Sequence, residues 1–148
     1  MDKHRESYEF CIVGDGDAPV DWSTIEDLAA YVSAALAHPE TTVNRTINVP
    51  SVRLSQNGVV DALRRHSRRP VHVQHVSTED AQRFGKDPEL APVGLKANTR
   101  YPLDFWWIVK SILGQGLGIH PRPEMHHALF PEVTPTTFDD FFAKHFAS

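Results

Sequence analysis

The sequence predicts a small mixed α/β unit of short strands and about five helices. Three observations predict it. Apolar residues recur at helical spacing in five stretches, most opened by a Ser, Thr or Asp that suits a helix start. Runs that alternate apolar and polar residues are short and lie between those stretches. Hydrophobic residues make up 41% of the 148-residue chain and charged residues 23%, the balance of a globular domain rather than a disordered one. A chain of this length fits a single domain over residues 1–148, and folding buries roughly 70% of the surface its unfolded form exposes.

The first strand candidate is FCIV, from Phe10, which runs into GDGDAP. A glycine-rich turn after a strand raises the question of a dinucleotide loop. The fingerprint for one needs three glycines: one for the tight turn, one for close approach of the pyrophosphate, and one for helix–strand packing. Gly14 and Gly16 stand in place, but Pro19 occupies the third position, and Asp15 and Asp17 would face phosphate charge without a compensating base. The residues that follow, PVDWS, are extended before a helix that starts too late. GDGDAP is therefore a turn between two extended segments.

DWSTIEDLAAYVSAALAHP is a helix with a capping box at Ser23 and Glu26, an inward stripe of Ile25, Leu28, Ala29, Val32, Ala35 and Leu36, and Pro39 as its stop. Asn44 to Val49, NRTINV, alternates with period two and is expected to be a strand. Ser55 caps a second helix with Val59, Val60 and Leu63 inward and the arginines of RRHSRR at its end; Pro70 stops it. Val71 to Ser77 forms a strand with one wet side. Ser77 and Asp80 open a short helix through Phe84. The Pro- and Gly-marked GKDPELAPVGLKANTRYP is then a long connection, of the kind that walls or covers a site. Asp104 is expected to cap LDFWWIVKSILGQG, which is either buried nearly all round, with Phe105 and Ile108 in the core, or packed on a further surface. After the irregular GIHPRPEMHHALFPEVTP, Thr137 and Asp140 open a last helix with a stripe of Phe138, Phe141, Phe142 and Phe146.

Composition removes several function classes. A formal net charge of -4 gives no field that would draw a phosphate backbone, and RRHSRR reads as the solvated end of a helix, so nucleic acid is not an expected partner. Cys11 is the only cysteine and is expected to be a small buried residue. No apolar run approaches the roughly 20 residues of a membrane span, and the charged MDKHRESYEF is no signal peptide, so the expected address is cytoplasmic. Nine histidines invite a metal reading, but His72 and His75 fall on opposite faces of a strand and the adjacent His126 and His127 do not easily converge on one ion; no metal site is expected. No G-x-S-x-G elbow exposes a serine nucleophile.

Taken in order, GDGDAPVDWSTIEDLAAYVSAALAHPE, NRTINV, RLSQNGVVDAL and VHVQHVSTED resemble the second half of the NmrA-like, isoflavone-reductase-like family of atypical short-chain dehydrogenases. The resemblance runs from Gly14 to Phe146, with Gly58 and His75 departing from the family pattern. It implies the C-terminal, substrate-side lobe of an NAD(P)-binding Rossmann-type reductase. The family's glycine-rich loop, its basic residue for the NADP phosphate and its usual catalytic lysine belong to a Rossmann half absent from this chain. No catalytic or cofactor-binding residue is therefore assigned here, and no cofactor is expected to bind this chain alone, while NADP(H) is implied for the full-length family. A Rossmann-bearing partner chain or self-association, and a small aromatic or apolar substrate, are the implied partners. The aromatic tract from Tyr101 to Ser111 can line a pocket, so Trp106 and Trp107, with His126 and His127 as polar contacts to a carbonyl or phenol, are the substrate-pocket candidates. The alternative is a non-catalytic regulatory or interaction module, motivated by the apolar helix around Trp106 and the C-terminal phenylalanines.

Overall fold

The computed structural model describes residues 6–95 and 101–146. Among the described residues, four strands and six α-helices form a mixed α/β arrangement. In chain order they are β1 (Tyr8–Val13), β2 (Pro19–Trp22), α1 (Ile25–Ala37), the single-turn α2 (Pro39–Thr42), β3 (Val52–Ser55), α3 (Gln56–His66), β4 (Val71–Val76), α4 (Thr78–Lys86), α5 (Leu103–Gly114) and α6 (Phe138–Phe146). Short 3-10 turns punctuate the irregular stretches at Pro88–Leu90, Val93–Leu95, Arg122–Glu124 and His127–Leu129. Part of the long connection before α5, residues 96–100, lies outside the described residues.

β1 and β4 pair in parallel, Tyr8 opposite Val71 through Val13 opposite Val76, and β2 and β3 pair antiparallel, Pro19 opposite Ser55. Successive side chains on a strand point to opposite faces, and β1 shows the consequence. Tyr8 and Phe10 pack with Val59, Ala62 and Leu63 of α3 and Phe142 of α6, whereas Cys11 and Val13 pack with Ala81 and Phe84 of α4 and Trp107 of α5. The parallel pair is thus covered on both faces, as parallel sheets require. A third group, Tyr31 and Ala34 of α1 with Phe130, anchors the segment before α6.

The local signals read in the sequence hold at several points. The Ser55 hydroxyl accepts the Gly58 N–H at 3.1 Å, the Ser77 hydroxyl accepts the Asp80 N–H at 3.0 Å, and Thr137 and Asp140 cap each other at the start of α6. GDGDAP is a turn from β1 into β2, with Gly14 and Gly16 at φ +77° and +82°. Asn57 at the start of α3 braces it, donating from its side chain to the Asp15 carbonyl and the Asp17 carboxylate and from its backbone to the Gly16 carbonyl. A Cβ at residue 16 would meet Asn57 Oδ1 at 2.7 Å, so both conformation and space call for glycine there.

Five expectations need correction. Asn44 to Val49 is not a strand: Asn44 turns at φ +57°, and among the described residues the segment pairs with no strand and makes one isolated bridge, Asn48 to Met125. Thr24, not Ser23, caps α1, accepting the Asp27 N–H at 3.0 Å. Asp104 lies inside α5, which begins after Pro102, and its carboxylate accepts the adjacent Phe105 N–H instead of capping the helix. The apolar stripe of α1 faces outward, with Ile25, Leu28, Val32 and Leu36 exposed and Asp27, Tyr31 and Ala34 turned in. Phe105 and Ile108 of α5 are likewise about half exposed, at 50% and 49%, so α5 is not buried all round. Among the described residues no helix is long and apolar enough to cross a membrane.

Candidate functional site

A cleft of about 410 Å³ opens between the starts of α1 and α6 and the β2–β3 pair. Trp22, the last residue of β2, forms one wall. Its indole N–H donates to the Leu54 carbonyl across the pair at 2.8 Å, which fixes the ring. Phe138 stands edge-on to that indole, ring centres 5.7 Å apart at 81°, and Phe141 adds a third ring one turn along α6. Hydroxyls of Ser23, Ser51 and Thr137 edge the apolar walls. Glu26 is the only ionisable residue in the lining, so the cleft presents no cation. Aromatic walls edged by a few hydroxyls suit a small, flat, uncharged ligand.

Asp27 joins two of the segments that border this cleft. It is buried on α1, and its carboxylate accepts the Thr136 N–H at 2.8 Å and the Thr136 hydroxyl at 2.7 Å, tying the approach to α6 onto α1. Burial acts to raise its pKa, but hydrogen bonds from Ser51, Thr136 and Thr24 outweigh that and hold it below the usual carboxylate range. A second carboxylate works the same way on the neighbouring loop. Asp21 takes a bidentate contact from Arg53 at 2.6 and 2.9 Å and accepts the His120 N–H at 2.7 Å.

The four pocket candidates read from sequence fall in two separate packing groups. Trp107 is fully buried in the core against Phe84, and Trp106 is half-buried beside Lys110. His126 accepts the Asn48 N–H at its Nδ1, 3.1 Å away, and His127 donates from Nε2 to the Pro50 carbonyl at 2.7 Å, so both rings pin the irregular 43–50 segment. None of the four lines the cleft described above. Among the described residues no group of three His, Cys, Asp or Glu side chains could hold a metal ion.

Sequence reasoning missed Lys110. It is 8% exposed on α5, and its ammonium donates to the Cys11 carbonyl at 2.6 Å, with the Phe10 and Trp106 rings 5.0 and 5.1 Å away. Burial pushes it below the ordinary lysine range, an effect the nearby Cys11 opposes. Its signal was present as a single charge in FWWIVKSIL, four residues after Trp106 on the same helix face.

No family model and no curated protein matches this chain. Solved structures match its fold. One is an isoflavone reductase, TM-score 0.67 at 19% identity over 93% of this chain. Another is the leucoanthocyanidin reductase of Vitis vinifera in its binary complex with NADPH, TM-score 0.72 at 16% identity over 95% of this chain. A ternary complex of leucoanthocyanidin reductase from Vitis vinifera gives 0.64 at 15%. The chain spans 43–47% of the length of these reductase chains. Its mixed α/β fold is that of their C-terminal portion, which is the fold the sequence resemblance implied.

Proposed function

We propose that this chain is the substrate-side portion of an NAD(P)-dependent oxidoreductase of the isoflavone-reductase-like, NmrA-like type, working in the cytoplasm. It does not transfer hydride by itself. NADP(H) belongs to a Rossmann-type part outside these residues, and the ligand of this portion is a small aromatic or apolar molecule. The observation that carries the reading is the aromatic cleft of Trp22, Phe138 and Phe141, set in a fold shared with two aromatic-substrate reductases by name. The GDGDAP turn supports the cofactor assignment, because the Asp17 N–H is taken by the Asp15 carboxylate and the two carboxylates of the turn would oppose a pyrophosphate.

Tryptophan fluorescence tests the cleft. Titration with an isoflavone is expected to give saturable quenching of Trp22 that weakens at least about tenfold in Phe141→Ala, since an aromatic contact and its buried area are lost together. Quenching that does not saturate, or that Phe141→Ala leaves unchanged, would remove the cleft as the substrate site.

The second reading is a regulatory or protein-interaction module, favoured by the outward stripe of α1. From Leu28 to Ala37 that helix carries no charged residue, and its most exposed side chains are apolar. Under this reading sedimentation at rising concentration shows association that Leu28→Glu abolishes; a chain that stays monomeric in both forms counts against it.

A further inference from the structure

The two edges of the β1–β4 pair are treated unequally, and neither reading of function uses them. Tyr8 donates its N–H to the Pro70 carbonyl, and Gly14 donates to the Val76 carbonyl. A parallel ladder in that phase spends the backbone groups of the even-numbered residues of β4 on β1 and turns those of Val71, Val73 and His75 away from it. On β1 the outward groups meet α5, where the Lys110 ammonium donates to the Cys11 carbonyl. On β4 nothing among the described residues takes them: β1 is its one strand neighbour, no other backbone bond reaches those residues, and His72, Gln74 and His75 are exposed. Open edges are normally blunted by a lysine, a proline or a bulge. VHVQHV carries neither lysine nor proline, and its register with β1 runs unbroken.

We propose that the free edge of β4 is a dimerisation edge whose occupant is β4 of a second copy of this chain, joined antiparallel about a twofold axis at Val73. Register and flanking charge select that occupant. With the axis at Val73, that residue faces its own counterpart, Val71 faces His75 of the second copy, and His75 faces Val71. Every outward N–H in the stretch then meets an outward carbonyl at the hydrogen-bonded spacing of an antiparallel ladder. His72 faces Gln74 on the wet side of the sheet, where an imidazole and an amide bond across the axis. The chain is basic just before the strand, at Arg68 and Arg69, and acidic just after it, at Glu79 and Asp80. Antiparallel pairing lays the basic end of each copy beside the acidic end of the other, whereas parallel pairing sets like charge on like. Arg68 and Glu79 are both exposed, and among the described residues neither has an ion pair within the chain. The contact is isologous, so it closes at two copies and merges their sheets into one.

Sedimentation of the full chain at rising concentration is expected to show a reversible monomer–dimer equilibrium. Over the same concentrations amide exchange should slow at Val73 and His75 as dimer forms, while Gln74, already bonded to β1, stays protected throughout. That comparison needs no variant to fold. Val73→Pro removes an N–H that β1 does not use and should abolish the dimer, with cooperative unfolding in urea showing that the monomer still folds. Arg68→Glu should weaken association about fivefold or more, because the contact it turns repulsive occurs on both sides of the axis, and adding Glu79→Arg should restore it. Leu28→Glu on α1 should leave the dimer unchanged, which separates this edge from the outward stripe of that helix. A chain that stays monomeric throughout overturns the proposal. So does a dimer that leaves Val73 and His75 in fast exchange, or one that survives Val73→Pro in folded protein.

Discussion

Helices α1 and α3 begin alike and are used in opposite ways. Each is opened by a hydroxyl that accepts the third helical N–H, Thr24 in one and Ser55 in the other, and each carries an apolar stripe at helical spacing. The α3 helix turns its stripe inward: Val59, Val60 and Leu63 are at most 4% exposed. The α1 helix leaves Ile25 and Leu36 at 83% and 77% exposed, and faces the interior with a carboxylate, a tyrosine and an alanine. A periodic pattern locates a stripe without saying on which side the interior lies. For α1 the side is decided by a tertiary tie, Asp27 to Thr136, and by Tyr31 packing on Phe130. The side with more apolar surface is left exposed.

That difference is measurable as a ranking of stabilities. Leu63→Ala should have the largest effect, lowering unfolding free energy in urea by about 2–5 kcal/mol, because α3, β1 and α6 close around that side chain. Asp27→Asn should come next, at about 1–3 kcal/mol near neutral pH, since a buried charged acceptor of two hydrogen bonds is lost. Its pH dependence has a fixed sign. The folded carboxyl is held below the usual range, so its contribution is complete above the unfolded value near about 3.9 and disappears as pH falls through the folded one. The gap between wild type and Asp27→Asn should therefore close on acidification; a constant gap would mean that Asp27 acts through shape alone.

Gln56→Met should act in the other direction. Gln56 is fully buried at the first turn of α3 and both polar atoms of its amide lack a partner among the described residues, so an apolar side chain of similar length should raise stability by about 1 kcal/mol. A loss there would show that the amide has a partner, and that α3 is less self-contained than α1. The smallest effect belongs to Leu36→Lys on the outer face of α1, within about 0.5 kcal/mol. A loss approaching that of Leu63→Ala would erase the contrast between the two helices.

What was legible in the sequence was local. Ser55, Ser77 and the Thr137–Asp140 pair announce helix starts because the capping groups sit within one turn of the N–H groups they satisfy. Gly14 and Gly16 announce a turn, and the Pro19 that spoils a dinucleotide fingerprint opens β2. What was not legible depends on distant partners. NRTINV alternates like a strand but pairs with no strand among the described residues. The cleft draws on residues 22–26, 51–52 and 136–141, three stretches that no spacing rule connects. Lys110 stands out only once β1 is known to run beneath α5.

Calorimetric titration of NADPH into the folded chain is the most direct test of the division between substrate side and cofactor side. A flat titration in a sample that unfolds cooperatively on heating is the expected result, because Asp15 and Asp17 set two carboxylates on the GDGDAP turn and Pro19 stands where the fingerprint needs its third glycine. Saturable binding of NADPH would contradict it and return the cofactor site to these 148 residues.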